Sequence, residues 1–448
     1  MMTDRVILGE NCIYSTDPAE TGINNNVLVC GGSGCGKTMS ISEPRLLETY
    51  HSSLIATVTK RRIVNKYKPV FLKRGYAVQD LDFVNPSRGN VGFDLLSCVQ
   101  TDKDISFLAK SIVNADPRKD RCNADPYWDE SAISLLSAMI KYVMMTNQNA
   151  TFTDVLEMID RLEFKDGDGQ IETNYDKKFE LLARRNPTGF AVTCWKSFRL
   201  LPIKTASCVF GVLNTTIDTI FSKELREMMS MERQVDIERL SMRKSILFIT
   251  TSPVNTSLHF FINMFYAQIF KRLFEFAENR PDGMLPRPVH VLCDDFATGG
   301  RILDFADYIS IFREKRLSVT LMLQSESQLE SMYGADDATT IINNCDTYLY
   351  MGGMDLKTAQ RISTRLDAPL DEVLYMPIGQ ELVFRRGQRP IVTRRYDVLS
   401  NELWQQITRQ YEERTAQEEE KRRRDTGRLE WQKDFYFAES SFTRRISS

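Results

Sequence analysis

The sequence predicts an α/β fold, a mainly parallel central sheet interrupted by an inserted helical domain. Three observations predict it. Short β-rich runs alternate with helix-compatible segments toward both ends of the chain. A glycine-rich turn, GGSGCGKT, sits flush against the first of those runs. Between residues 99 and 240 the pattern changes to apolar residues at helical spacing, and after 240 the β-rich runs resume.

In chain order, "NNNVLVC" (24–30), "SSLIATV" (52–58) and "YAVQDLDF" (76–83) read as strands, with helices over Thr38–Tyr50 and Arg61–Arg74 between them. Strand, helix, strand, helix, strand is the signal of βαβ units. After "NPSRGN" (85–90), "DISFLAKSIV" and "AISLLSAMIKYVMM" are helical, and "EFKDGDGQIETN" is a polar break. "KSILFITTS" (244–252) then leads into a helix over 258–280. "PVHVLCDDF" (288–296) leads into a helix over 304–316, and "LSVTLMLQS" (317–325) and "TYLYMGG" (347–353) are further strands. "QELVFRRGQRPIVTRRYD" (380–397) reads as a hairpin turning at Arg386-Gly387. The boundaries expected are 1–98 and 241–400 for two parts of one sheet domain, 99–240 for an all-α domain, and 401–448 for a charged tail.

Composition narrows the class. The chain has 448 residues, a formal net charge of -2, 42% hydrophobic and 26% charged residues, which is ordinary globular usage. No global basic field points to nucleic acid, so such contact needs a local patch or channel. Nine cysteines without a CxxC pair, and three histidines, argue for reduced thiols and against zinc. "AISLLSAMIKYVMM" carries Lys141 and is too short to span a bilayer. The N-terminal run is too weakly apolar for a signal peptide, so a cytoplasmic protein is expected.

Gly31, Gly36, Lys37 and Thr38 fit G-x-x-x-x-G-K-[ST], with Gly32, Ser33, Gly34 and Cys35 completing the loop. Backbone amides of such a turn and the positive end of the following helix hold phosphate. Lys37 would span the terminal phosphate oxygens, and the Thr38 hydroxyl would join a Mg²⁺ sphere. Asp294 and Asp295 end an apolar strand, where one carboxylate organises Mg²⁺ and a second polarises water; a helix cap is the plain alternative. Gln324 ends the next strand, where an amide can meet the terminal phosphate.

These residues, with "DPYWDESA" (125–132), "VLCDDFATGGRILDFADYISIFREKRLSVTLMLQSESQLESMYG" (291–334) and "IINNCDTYLYMGG" (341–353), make the chain resemble the VirD4/TraG family. Its members are type IV secretion coupling proteins, conjugative DNA-transfer ATPases of the FtsK/HerA-like P-loop group. The resemblance covers about residues 7–365. It implies a RecA-like P-loop NTPase core interrupted by an all-α domain, with ATP and Mg²⁺ as ligands. It also implies a homohexamer that moves single-stranded DNA and a relaxase toward a secretion channel. By the same resemblance Lys37 and Thr38 take phosphate and Mg²⁺, Asp294 is the Walker B carboxylate, and Gln324 senses the terminal phosphate. Arg313, in "IFREKR", would serve the neighbouring subunit's nucleotide. Asp125 would cap a helix opening at Pro126, with Trp128 packing inward.

Three departures stand out. Asp295 replaces the family's glutamate and is one methylene shorter, which would set back a water-activating carboxylate. "TVTKRRI" (57–63) keeps only Lys60 of an Asp-Pro-Lys-Gly-Glu stretch. Many members begin with transmembrane helices and this chain has none, so it is expected to be either a truncated or naturally soluble form, or one recruited to the inner face of the membrane by a separate membrane tether. A nucleotide-gated cargo receptor with little hydrolysis, or an FtsK/HerA-like motor outside conjugation, are the alternative readings. Lys60, Arg61, Arg62 and Lys66 are read first as solvated residues and only second as DNA contacts. Cys35, where the family has serine, is read as loop packing before redox chemistry.

Overall fold

The computed structural model describes residues 4–114, 126–167, 170–252, 256–294, 296, 301–421 and 423–424. Strands β1 (Arg5–Ile7) and β2 (Ile13–Ser15) form a short antiparallel pair ahead of the main sheet. The main sheet collects β3 (Val27–Cys30), β4 (Ser53–Val58), β5 (Ala77–Asp82), β8 (Ser245–Thr250), β9 (Val289–Cys293), β10 (Leu317–Leu323), β11 (Thr347–Tyr350), β12 (Gln380–Arg385) and β13 (Ile391–Arg394). Their order is β13-β12-β11-β3-β10-β9-β4-β8-β5. From β11 to β5 every pairing is parallel, whereas β12 and β13 run antiparallel at one edge. The inner strands are buried on both faces, as parallel strands flanked by helices must be, which is why they read as unbroken apolar runs.

The first crossover helix differs from the expected Thr38–Tyr50. Thr38–Ser42 is a widened, π-type turn, and regular α-helix covers only Glu43–Leu47. Pro44 is the cause, because it has no N–H to donate four residues back and its ring crowds the preceding turn. The helix expected over 304–316 also stops early, at Ile311. The chain must turn into β10, and it does so through Arg316 at φ 58° with Leu317 N–H bonded to Phe312 O at 2.9 Å.

The block between β5 and β8 is helical with one exception. The expected polar break is an antiparallel hairpin, β6 (Phe164–Gly167) and β7 (Gln170–Thr173), so the block is not all-α. Ile171, fully buried, pins the hairpin, and Phe164 packs edge-on against Phe198 and Phe210. The block also shares its core with the sheet. Phe152 lies against Phe221 at 5.1 Å, Phe221 against Phe261 at 6.0 Å, and Phe261 against Phe83 at 5.5 Å between ring centroids. Phe261 belongs to the helix Thr256–Glu278 that covers the sheet. This aromatic seam joins helical block and sheet without a break.

Of the four basic residues after β4, Lys60 and Arg62 are exposed, whereas Arg61 and Lys66 have a structural role that neither expected reading captures. Arg61 forks onto Asp80 at 2.6 and 2.7 Å, and reaches Asp82 at 3.4 Å. Asp80 is fully buried at the edge strand β5. Lys66, also buried, bonds Glu43 at 2.8 Å and lies 3.7 Å from the Trp404 ring centroid. Glu43 additionally accepts from Tyr67 Oη at 2.8 Å and Trp404 Nε1 at 2.5 Å. One carboxylate thus ties the helix after the glycine loop to the helix Arg61–Lys73 and to the helical residues 402–421 of the charged tail. No helix among the described residues is long and apolar enough to cross a membrane.

Removing Arg61 leaves the buried Asp80 charge only the longer, half-exposed contact of Lys68 at 3.4 Å, a costly loss in low dielectric. Arg61→Ala should therefore destabilise the sheet by about 3 kcal/mol, read as a lowered urea midpoint. An unchanged midpoint would return Arg61 to the solvated surface.

Candidate active site

Lys37, Thr38, Asp294 and Gln324 all follow the C-terminal ends of parallel strands, so the topology brings them to one edge of the sheet. The loop Gly31–Thr38 is held from both sides. Gly31 N–H donates to Leu323 O at 3.1 Å, one step beyond the β3–β10 ladder, and Gly32 N–H donates to Gly352 O at 2.9 Å beyond β11. The loop then curls back, with Cys35 N–H on Gly32 O at 3.3 Å and left-handed backbone at Gly34 (φ 75°) and Gly36 (φ 91°). A Cβ on Gly31 would stand 2.7 Å from Cys35 Sγ and 2.9 Å from Met351 Cβ. Cys35 is thus part of the loop's packing. Ser33 and Gly34 form the exposed tip. The Lys37 ammonium donates across the loop to Gly31 O at 2.6 Å and Gly32 O at 3.2 Å.

Strand β10 lies between the loop strand β3 and the Asp294 strand β9. Two strand spacings, about 10 Å, separate the loop from Asp294, with Gln324 between. Asp294 and Gln324 line one cavity of about 170 Å³ with Thr57, Thr251, Tyr266 and Cys293. Gln324 is exposed, and its carbonyl accepts from Cys30 Sγ at 3.9 Å, immediately before the loop. Burial pushes the Cys30 and Cys293 thiols up to about 12, so neither is a thiolate near neutrality. The donors suited to a cation are the Thr38 hydroxyl and the Asp294 carboxylate. Hard oxygen donors of this kind fit Mg²⁺, which keeps water and takes phosphate oxygens for the rest of its octahedron.

Arg313 stands apart. It is exposed on the turn that precedes β10 and bonds Gly22 O at 3.1 Å. The seven-residue strand that follows carries the chain about 20 Å before it reaches the loop's edge. Arg313 therefore does not serve its own chain's loop. Asp295 and Asp125 lie outside the described residues. The described part of the helix expected after Asp125 covers Pro126–Thr146, and Trp128 packs half-buried against the core. Sequence reasoning missed Gly352, which receives the loop's second amide, and Arg395. The latter bonds Met351 O at 3.0 Å beside the loop. Gly352 was visible within "TYLYMGG"; Arg395 carries no local signal, because only the β11–β12 pairing brings it there.

The family model for type IV secretory system conjugative DNA transfer matches residues 3–367. The chain belongs to this family. Its VirD4/TraG character, inferred above from sequence, is the same assignment. No curated protein matches the chain by sequence. Among solved structures it is similar to the plasmid coupling protein TrwB in complex with the ATP analogue ADPNP (17% identity, 83% of this chain and 85% of that one, TM-score 0.63). It is likewise similar to TrwBdeltaN70 in complex with sulphate (16%, 83% and 85%, TM-score 0.60). VirB4 of Thermoanaerobacter pseudethanolicus is a more distant likeness (14%, 88% and 96%, TM-score 0.52). At these identities the likeness establishes the fold, a RecA-like α/β core. The family match ends before β12 and β13, so the hairpin that carries Arg395 lies beyond it.

On that hairpin Glu381 is fully buried, and among the described residues neither carboxyl oxygen has a hydrogen-bond partner. Burial pushes its carboxyl up to about 8, opposed only by the nearby charge of Arg395. A carboxyl raised in the folded state stabilises fully below its ordinary value of 4.5, and that contribution is lost as pH rises through about 8. Between pH 5 and 8 the melting temperature of the wild type should thus fall relative to Glu381→Gln. A constant difference across that range would contradict the burial argument.

Proposed function

We propose that this coupling-protein family member is an ATP-hydrolysing motor that recruits single-stranded DNA with its relaxase and drives it toward a type IV secretion channel. The observation that carries the reading is the pairing of Gly31 with Leu323, which sets the glycine loop beside Gln324 and two strand spacings from Asp294. That arrangement suits a nucleoside triphosphate: loop amides and Lys37 on the phosphates, Thr38 and Asp294 toward Mg²⁺, and Gln324 toward the terminal phosphate. Bound Mg²⁺ would offset charge on the phosphates. The ADPNP-bound TrwB structure, and TrwB in complex with ADP and Mg²⁺, support the same choice of ligands. Binding phosphate would draw the Lys37 ammonium off the Gly31 and Gly32 carbonyls, so the loop exchanges an internal contact for a ligand contact.

Arg313 supports a ring. It is exposed, remote from its own loop and at the opposite edge of the sheet, where a neighbouring copy's loop can meet it. A cation delivered there would stabilise charge developing on the transferred phosphate. We read the assembly as a homohexamer, recruited to the inner face of the membrane by a separate protein.

Single-stranded DNA should stimulate ATP hydrolysis by the wild type, and Lys37→Ala or Asp294→Asn should lower it by about a hundredfold or more. A wild type that binds ATP yet turns over on no DNA would overturn the motor reading in favour of a receptor. Mixing Lys37→Ala with Arg313→Ala protomers should give more activity than either variant alone, because some interfaces then combine an intact loop with an intact arginine. Equal inactivity of the mixture would argue against an arginine supplied between subunits. Asp295→Glu should raise turnover, by restoring the glutamate length that the family resemblance implies for a water-activating carboxylate.

A further inference from the structure

Arg395 follows β13 by one residue and is fixed at two points. Its backbone N–H bonds Gly379 O at 2.9 Å, and Nη2 bonds Met351 O at 3.0 Å. Met351 is held in turn by its N–H on Cys30 O at 2.8 Å, directly before the loop. The other terminal nitrogen faces the loop: a Cβ on Gly36 would lie 3.8 Å from Arg395 Nη1. Gly36, with φ 91°, therefore turns bare backbone toward a guanidinium. Nε is buried and, among the described residues, has no partner. The carboxyl closest in influence, Glu381, forms no ion pair with it among the described residues, and burial pushes that carboxyl up toward its neutral form.

We propose that Arg395 is a phosphate-binding residue supplied by the same chain, a second cation that faces the nucleotide's phosphates across Gly36 while Lys37 holds them from the other side. The inference rests on the nucleotide-binding reading above and adds a group that neither the loop motif nor the family match contains. A guanidinium offers parallel donors that match phosphate oxygens, and one edge of this one is already spent on Met351 O. That anchor fixes the remaining edge toward the loop, so little side-chain entropy is lost when phosphate arrives. It also separates the roles of two arginines. Arg313 is placed for a neighbour's nucleotide, and Arg395 for its own.

The test is equilibrium binding of ADP and ADPNP to the full chain, with inorganic pyrophosphate as a competing probe, alongside melting temperatures. Arg395→Ala should weaken both nucleotides at least tenfold and weaken pyrophosphate competition in parallel. Arg395→Lys, which retains the charge and can still reach Met351 O, should fall between. Arg394→Ala, an exposed neighbour, should bind as the wild type does. Arg395 variants that melt lower yet bind nucleotide and pyrophosphate within twofold of the wild type would overturn the proposal and leave the residue a structural clasp. So would nucleotide loss without pyrophosphate loss, which would assign Arg395 to the base or ribose. If the wild type binds no nucleotide, the underlying reading falls and this one with it; if the wild type binds and Lys37→Ala does not, only Arg395 is on trial.

Discussion

Strand β10 is the constraint on which the molecule depends. It pairs in parallel with β3 on one side and β9 on the other, and all seven of its residues are buried. Leu323 pairs with Cys30 and Leu321 with Cys293, so the register sets where each following residue emerges. A shift of one residue would turn every side chain of the strand to the other face. Buried His290 on β9 helps hold this register, bonded to Ser318 at 2.8 Å and Thr320 at 2.9 Å on β10. Burial keeps its imidazole well below its ordinary value, so the link stays neutral.

From that register the site follows as geometry. The glycine loop leaves β3 as an extension of the ladder and must curl back, because Gly34 and Gly36 take left-handed backbone and Gly31 has no room for a side chain. The widened turn at Thr38–Ser42 and the buried Glu43 behind it then couple the loop to Lys66, Tyr67 and Trp404. Movement of the loop would be felt by the helix Arg61–Lys73 and by the tail helix, through a carboxylate with three donors. The aromatic seam through Phe83, Phe261, Phe221 and Phe152 gives a second path, from the sheet to the helical block. The same edge is thus packed both to the helical block and to the tail helix.

The parallel sheet was legible because buried parallel strands announce themselves as short apolar runs, and the glycine loop because its backbone needs are written in residue type. Asp294 and Gln324 were legible as polar residues ending such runs. What local pattern could not carry was contact between distant segments. Arg61 and Lys66 read as solvated because their partners, Asp80 and Glu43, stand in other elements. The hairpin at Phe164–Thr173 read as a polar break, since a single buried Ile171 anchors it. Pro44 is visible in the sequence, but the apolar spacing around it is that of an uninterrupted helix. Arg395 was invisible for the strongest reason, because an antiparallel edge hairpin returns it to a loop more than three hundred residues earlier.

The central claim is that a nucleotide is held at the edge where β3, β10 and β11 end. Amide hydrogen exchange on the full chain, with and without ADPNP and Mg²⁺, addresses it directly. Added nucleotide should slow exchange across residues 31–42 and, through the shared hydrogen bonds, at 323–325 and 351–353, while the hairpin strands Phe164–Gly167 and Gln170–Thr173 are unchanged. Protection confined to other parts of the chain, with residues 31–42 exchanging as before, would contradict the account.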